Sequence, residues 1–238
     1  MKKAMKTQPE RREPIEKIFL NTPPRGWVVL SIGGCGVLTR TLMRRHQEEY
    51  METQRIAMAF ASRIVEAVGF SLDQQLSTSQ ILVDMADAVI EDPKDVSLLC
   101  TIWRYLAEEV EICSVGSNEV LVFEQERVRK AFASHSISES EIVRNQGLVV
   151  PPIHRRQITH ALGSRKNEKS CHTGDVRVAR IPLLPTTTIL ITEEPLMADA
   201  LLEHPVPRNE LFSFVEKWEY PPGRLAKRKT SVLISLQE

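Results

Sequence analysis

The apolar and polar positions divide this chain into segments of different period. An apolar run from Gly26 to Thr39 lies between two clusters of positive charge, and no proline interrupts the stretch from Gly26 to Pro93. Beyond it, Ile56, Phe60, Ile64 and Val68 recur every fourth residue, the spacing of one helix face. The pattern predicts one long helix from about Thr41 to Leu72, with residues 26–43 helical and continuous with it. Ser77, Thr78 and Ser79 offer an N-cap to a second helix carrying Ile81, Leu82, Met85 and Val89. Asp92-Pro93 reads as N-cap and first turn of a third helix, with Val96, Leu99, Ile102, Trp103 and Leu106 on its apolar face.

At Val110 the period changes. Val110–Val115 and Glu119–Glu124, joined by Gly116-Ser117-Asn118, predict two strands in a tight hairpin. A helix is expected near Glu126–Ala133, and Ser138 with Glu141 has the spacing of a capping box. Pro151-Pro152 punctuates the chain, Ile153–Leu162 reads as helical with Gly163 at its C′ position, and Ser164–Gly174 is a polar loop. Val176–Ile181 and Thr186–Thr192 predict two further strands, paired in the same sheet as the first two. Glu193-Glu194-Pro195 stops the last of them, and Leu196–Glu203 starts a helix. The organisation expected is a flexible charged leader (1–25), an apolar segment (26–43), an α+β domain (44–203) and a C-terminal extension (204–238). The fold class expected is α+β, a long N-terminal helix and a helical region packed on a small antiparallel sheet.

The apolar run also bears on location. At helical rise, residues 26–39 span roughly 21 Å, short of the ~30 Å hydrocarbon core of a bilayer. Extension to Met43 lengthens it, provided the Arg40 guanidinium snorkels to the headgroups. Gly33, Gly34 and Gly36 suit close helix packing in lipid, and Trp27 suits an interface. Lys2, Lys3, Lys6, Arg11, Arg12, Lys17 and Arg25 precede the run, whereas only Arg40, Arg44 and Arg45 follow closely. A single-pass membrane protein with a cytoplasmic N-terminus is the expectation that follows; the alternative is a soluble intracellular chain with the run in its core.

Composition refines this picture. A hydrophobic share of 42% and a charged share of 26% are those of a folded globular protein. The 31 basic residues balance the 31 acidic ones, and aromatics are 5%, which disfavours nucleic acid as a partner and a base-stacking platform. Cys35, Cys100, Cys113 and Cys171 show no paired spacing.

The segment Val176-Arg-Val-Ala-Arg-Ile-Pro182, followed by Thr187-Thr-Ile-Leu-Ile-Thr-Glu-Glu-Pro-Leu-Met-Ala-Asp-Ala-Leu201, resembles the close of Cache domains, the extracytoplasmic PAS-like sensors. Taken over residues 41–203, the resemblance implies a ligand pocket beside the sheet. Arg155 or Arg156 would then pair with a small anionic ligand, and Thr187 or Thr188 would supply hydroxyls.

Other constellations carry less chemistry. His154, His160, Cys171 and His172 are zinc-type ligands at no standard spacing, and are read as polar helix and loop residues. Asp84 with Asp87, and Glu108 with Glu109, are read as solvated faces rather than an acid and base pair. Arg165, Lys166 and Lys169 extend the basic cluster of Arg155 and Arg156, and Arg224, Lys227, Arg228 and Lys229 form a basic tail. No activated nucleophile, phosphate-binding glycine loop or cofactor motif is visible. The expectation is a membrane-tethered sensor or small-ligand-binding domain without catalytic activity or cofactor. The alternative is a non-catalytic subunit of a larger assembly, meeting protein partners through both termini.

Overall fold

In a computed structural model, the structure describes residues 13–20, 27–32, 34–43, 50–71, 77–89, 96–125, 127–136, 139–151, 158–162, 175–218 and 230–236. The chain runs β1 (Pro14–Leu20), β2 (Trp27–Ile32), β3 (Cys35–Met43), α1 (Tyr50–Ser71), α2 (Thr78–Val89), β4 (Val96–Tyr105), β5 (Glu109–Val115) and β6 (Glu119–Glu124). It continues through β7 (Arg127–Lys130), α3 (Glu141–Gln146), β8 (Arg177–Pro182), β9 (Thr187–Thr192), α4 (Pro195–Glu203), α5 (Arg208–Lys217) and β10 (Thr230–Leu236). The strands form two five-stranded sheets, ordered β1-β10-β9-β6-β7 and β2-β3-β4-β5-β8. Every pairing within them is antiparallel.

Three apolar layers hold this sandwich. Phe60, Ile64 and Val68 of α1 and Leu82 of α2 pack against Val37, Leu98, Cys100 and Ile102 on the outer face of the second sheet. Leu38, Leu99, Trp103, Val110 and Ile112 of that sheet meet Val120, Val122, Ile189, Ile191, Val232 and Ile234 of the first between the sheets. Leu121, Leu190 and Leu233 face outward from the first sheet onto Met197, Leu201, Leu211 and Val215 of α4 and α5. The central strands are therefore covered on both faces, and such strands read as continuous apolar runs instead of alternating ones.

That double burial corrects the expected elements. Residues 26–43 are not a helix continuous with α1: Trp27 pairs with Arg40 and Ile32 with Cys35 across a hairpin, and β3 continues into the sheet beside β4. No described helix is long and apolar enough to cross a membrane. The third helix expected after Pro93 is β4, whose apolar residues face both ways because both faces are covered. The helix expected near 126–133 is β7, entered through Gln125 at φ 56°. The second helix α2 and the helix after Glu194 form where expected, and the long helix α1 ends where expected but starts at Tyr50 in place of Thr41, which lies in β3.

The sheet differs too. In place of a helical region on one small antiparallel sheet there are two stacked sheets with helices outside both. Neither expected hairpin exists, because β5 and β6 belong to different sheets, as do β8 and β9. β5 pairs instead with β8, and β6 with β9. The chain twice crosses from one sheet to the other at these corners. Its ends close the first sheet: β1, from the charged leader, pairs with β10, from the C-terminal extension.

Candidate functional site at the polar corner of the sandwich

The corner between β5 and β6 concentrates the buried polar groups. Gly116 takes φ +117°, and a Cβ there would lie 2.9 Å from Leu99 Cδ2, so only glycine fits. Asn118 follows, and its Nδ2 donates to Thr101 Oγ1 at 2.9 Å. Thr101 in turn shares a 2.8 Å hydrogen bond with Ser114 Oγ. Strand alternation puts Thr101 and Ser114 on the face that carries Leu99, Trp103 and Ile112, so this trio looks between the sheets. Asn118 Oδ1 is buried there without a hydrogen-bond partner among the described residues.

His135 latches the corner from outside. Gly116 N donates to its Nδ1 at 3.1 Å, and its own backbone N donates to Gly116 O at 2.8 Å. Its carbonyl accepts from Thr159 N at 2.8 Å, and its ring lies 4.8 Å from that of His160. Burial, and then the nearby charges of His160 and Arg177, push its pKa down to about 4, so the ring is neutral at neutral pH.

On the outer face of the first sheet, Glu119 sits at the start of β6 and is 3% exposed. Ser134 Oγ donates to its Oε1 at 2.9 Å, and Lys130 Nζ lies 3.1 Å from its Oε2 and 2.6 Å from Glu139 Oε1. Burial raises the Glu119 carboxyl above its usual value despite Lys130, while the two carboxylates hold the Lys130 ammonium above its own despite burial. Glu119, Lys130 and Glu139 line a cavity of about 240 Å³ that Leu148, Pro195 and Asp199 complete. Val149 beside it is 90% exposed.

The β9–α4 corner adjoins this cavity. Thr192 Oγ1 accepts from Ser231 Oγ at 2.9 Å and from Glu194 N at 3.1 Å. Glu194 is fully buried and caps α4, its Oε1 accepting from Leu196 N at 3.1 Å, with Pro195 in the first turn.

Of the residues expected to bind a ligand, Thr187 and Thr188 are described. Thr187 and Thr188 point to opposite faces of β9: Thr187 lies on the face that Ile189 and Ile191 turn between the sheets, and Thr188 faces out, where Arg208 Nε donates to it at 2.9 Å. One pocket cannot be lined by both. Arg155 and Arg156 lie outside the described residues, as do His154, Cys171, His172 and the basic tail. Among the described residues no group of three or more His, Cys, Asp and Glu could hold a metal ion. Asp84, exposed, accepts from Gln80 Nε2 at 2.6 Å, and Glu108 is exposed at the β4–β5 turn. The thiols of Cys35, Cys100 and Cys113 are buried, and burial raises all three pKa values, that of Cys113 to about 12. They are poor candidates for a thiolate nucleophile.

Sequence reasoning missed Asn118, Glu119, Lys130, Ser134 and His135. The available signal was polarity out of place: Thr101 and Ser114 interrupt the inward faces of apolar strands, and Glu119 opens one.

No family model and no curated protein matches the chain. Solved structures do. The PPM Ser-Thr phosphatase MsPP from Mycobacterium smegmatis, in complex with cacodylate, matches with TM-score 0.61 and 15% identity, over 93% of this chain and 97% of that one. The serine/threonine phosphatase of S. agalactiae matches with TM-score 0.65 and 8% identity, over 94% and 100%. The catalytic domain of the serine threonine protein phosphatase PstP, in complex with two manganese ions, matches with TM-score 0.58 and 8% identity, over 95% and 98%. This likeness overturns the Cache resemblance, together with the membrane-tethered sensor, the non-catalytic assembly subunit and the absence of enzymatic activity inferred beside it. The neighbours are enzymes, and the chain has the fold of the PPM Ser/Thr phosphatases.

Proposed function

We propose that this chain acts on phosphorylated serine or threonine residues of proteins. The observation that carries the reading is the fold, shared with Ser/Thr phosphatases over nearly the whole of both chains. The anion expected from the sequence is, on this reading, a phosphoryl group carried by a protein and not a free small ligand. The approach is at the polar corner, where the Glu119–Lys130–Glu139 cavity opens beside exposed Leu148 and Val149. Apolar side chains at such a mouth suit the backbone and flanking residues of a peptide.

One neighbour holds two manganese ions, and the donor set described here falls short of what such a pair requires. Manganese takes oxygen ligands, chiefly carboxylates and water, and two divalent ions need several ionised carboxylates converging on them. The described carboxylates at the corner are already engaged: Glu119 and Glu139 converge on the Lys130 ammonium, Ser134 donates to Glu119, and Glu194 caps α4. The described residues do not fit a manganese pair, and no step is drawn through one.

The test is discrimination between phosphorylated and unphosphorylated peptides. Fluorescence anisotropy with labelled phosphoserine and phosphothreonine peptides, run beside a phosphate-release assay, should give tighter binding of the phosphorylated forms or release of phosphate from them. Equal affinity for both forms together with no phosphate release would defeat the reading.

A further inference from the structure

We infer that the polar corner of this sandwich is closed by a neutral hydrogen-bond network and a guanidinium, and that its described residues hold no manganese pair. The inference concerns the donor chemistry of the fold and stands whether or not phosphoproteins are the target.

Three observations carry it. First, the buried polar side chains aimed between the sheets are two hydroxyls and an amide, Thr101, Ser114 and Asn118, bonded in series at 2.8 and 2.9 Å. Neutral donors of this kind cannot offset two dications taken out of water. Each of these residues is 2% exposed or less, and the one acceptor left over, Asn118 Oδ1, is a neutral amide oxygen. Second, the described carboxylates near the corner already have occupants. The Glu119 carboxylate faces the Lys130 ammonium, and Glu194 satisfies a backbone N–H of α4. A metal drawing on Glu119 would compete with the Lys130 ammonium, and one drawing on Glu194 would leave a helix end uncompensated.

Third, the corner carries positive charge of its own. Arg40 lies opposite Leu99 in the sheet, two residues from Thr101 along β4, and its guanidinium stands 5.8 Å from the centre of the Trp27 ring. By alternation it shares the inward face of β3 with Leu38. A guanidinium set against an aromatic face is no oxygen donor for a dication. Thr192 and Ser231, at the adjoining strand ends, satisfy one another at 2.9 Å and again offer hydroxyls only.

The experiment uses the full chain, dialysed against EDTA and then into chelator-free buffer. Manganese binding is read by calorimetric titration and by the loss of the free-ion signal in electron paramagnetic resonance. Melting is followed in manganese and in EDTA. The expected results are no stoichiometric binding tighter than about 1 mM and coincident melting curves. One or two equivalents of manganese bound at micromolar affinity, or melting raised by several degrees in manganese, would overturn the inference. Phosphopeptide binding measured in EDTA separates the two readings. Retention there alongside absent manganese binding supports both, whereas its loss with manganese binding still absent defeats the phosphoprotein reading and leaves this one standing.

Discussion

Glu111 tests whether buried charge is balanced in this fold as the geometry indicates. It lies on β5, on the face toward α2, with its side chain 5% exposed. Arg104 Nε approaches its Oε2 at 2.7 Å and is itself nearly buried, whereas Arg180, at 3.0 Å from Oε1, is 60% exposed. Thr78 at the start of α2 donates to Oε2 at 2.6 Å. Burial alone would raise the Glu111 carboxyl, but the Thr78 hydroxyl and the two guanidiniums outweigh it, so its pKa falls below the usual carboxylate range. Glu111→Gln keeps the shape and an acceptor for Thr78 but leaves the Arg104 guanidinium buried without its counter-charge. Breaking a buried pair in this way costs about 3 to 5 kcal/mol. For a chain of this size that lowers Tm by roughly 6 to 20 °C. Arg180 adds little because solvent screens it. The assay is urea unfolding at neutral pH, followed by far-UV circular dichroism, for wild type, Glu111→Gln and the double variant Glu111→Leu/Arg104→Leu. The double variant should recover much of the loss, since both charges leave together. Acidification should shrink the difference. A carboxyl whose folded pKa lies below its unfolded value stabilises fully above the unfolded value, about 4.3, and loses that stabilisation as pH falls through the folded one. The deficit of Glu111→Gln should therefore close in acid. A loss under about 1 kcal/mol at neutral pH, against the range for a buried pair, or a deficit that does not shrink in acid, would refute the reasoning.

His135 predicts a second pH dependence, since its pKa falls from about 6.5 to about 4 on folding. Stability should be full above the unfolded value and decline as pH drops from there through about 4, and His135→Gln should remove about 2 to 3 kcal/mol of that slope in urea titrations at several pH values. Gly36→Ala should be severe for its size, because a Cβ would fall 2.2 Å from Trp103 Cζ2. A loss of about 1 to 3 kcal/mol is expected, with altered tryptophan emission because Trp103 Nε1 donates to Glu16 at 2.8 Å; wild-type melting and emission would count against it. Ser140→Ala should cost about 1 kcal/mol by chemical denaturation, since Ser140 caps α3 through Val143 N, and Ser140→Asp should restore it.

The helices that cover the sandwich are legible in the amino-acid pattern alone. Phe60, Ile64 and Val68 of α1, and Ile81 and Leu82 of α2, carry a one-sided period because each helix has one buried face and one wet one. The stop at Glu194-Pro195 is legible because a cap and a proline act locally. Residues 27–43 and 96–105 are not legible, because helix, spanning segment and doubly covered strand all produce an unbroken apolar run. Only the presence of α1 on one side and the first sheet on the other settles which it is.

Strand pairing lies equally beyond local pattern. The sequence located β5, β6, β8 and β9 within about a residue or two, which is what alternation and β-branched content determine. Whether a three-residue link closes a hairpin or carries the chain across to a second sheet depends on what each strand finds to pair with, and those partners are remote: β9 meets β10 from the far end of the chain, and β1 meets β10 from the other end. The candidate site follows the same rule. Glu119, Lys130 and Ser134 are near neighbours in sequence, but their convergence needs the β6–β7 turn, and the bond from Asn118 to Thr101 needs two sheets stacked face to face. Periodicity along a chain reports how many sides of an element are dry; it does not report which element dries them, and that was decided only when distant segments packed.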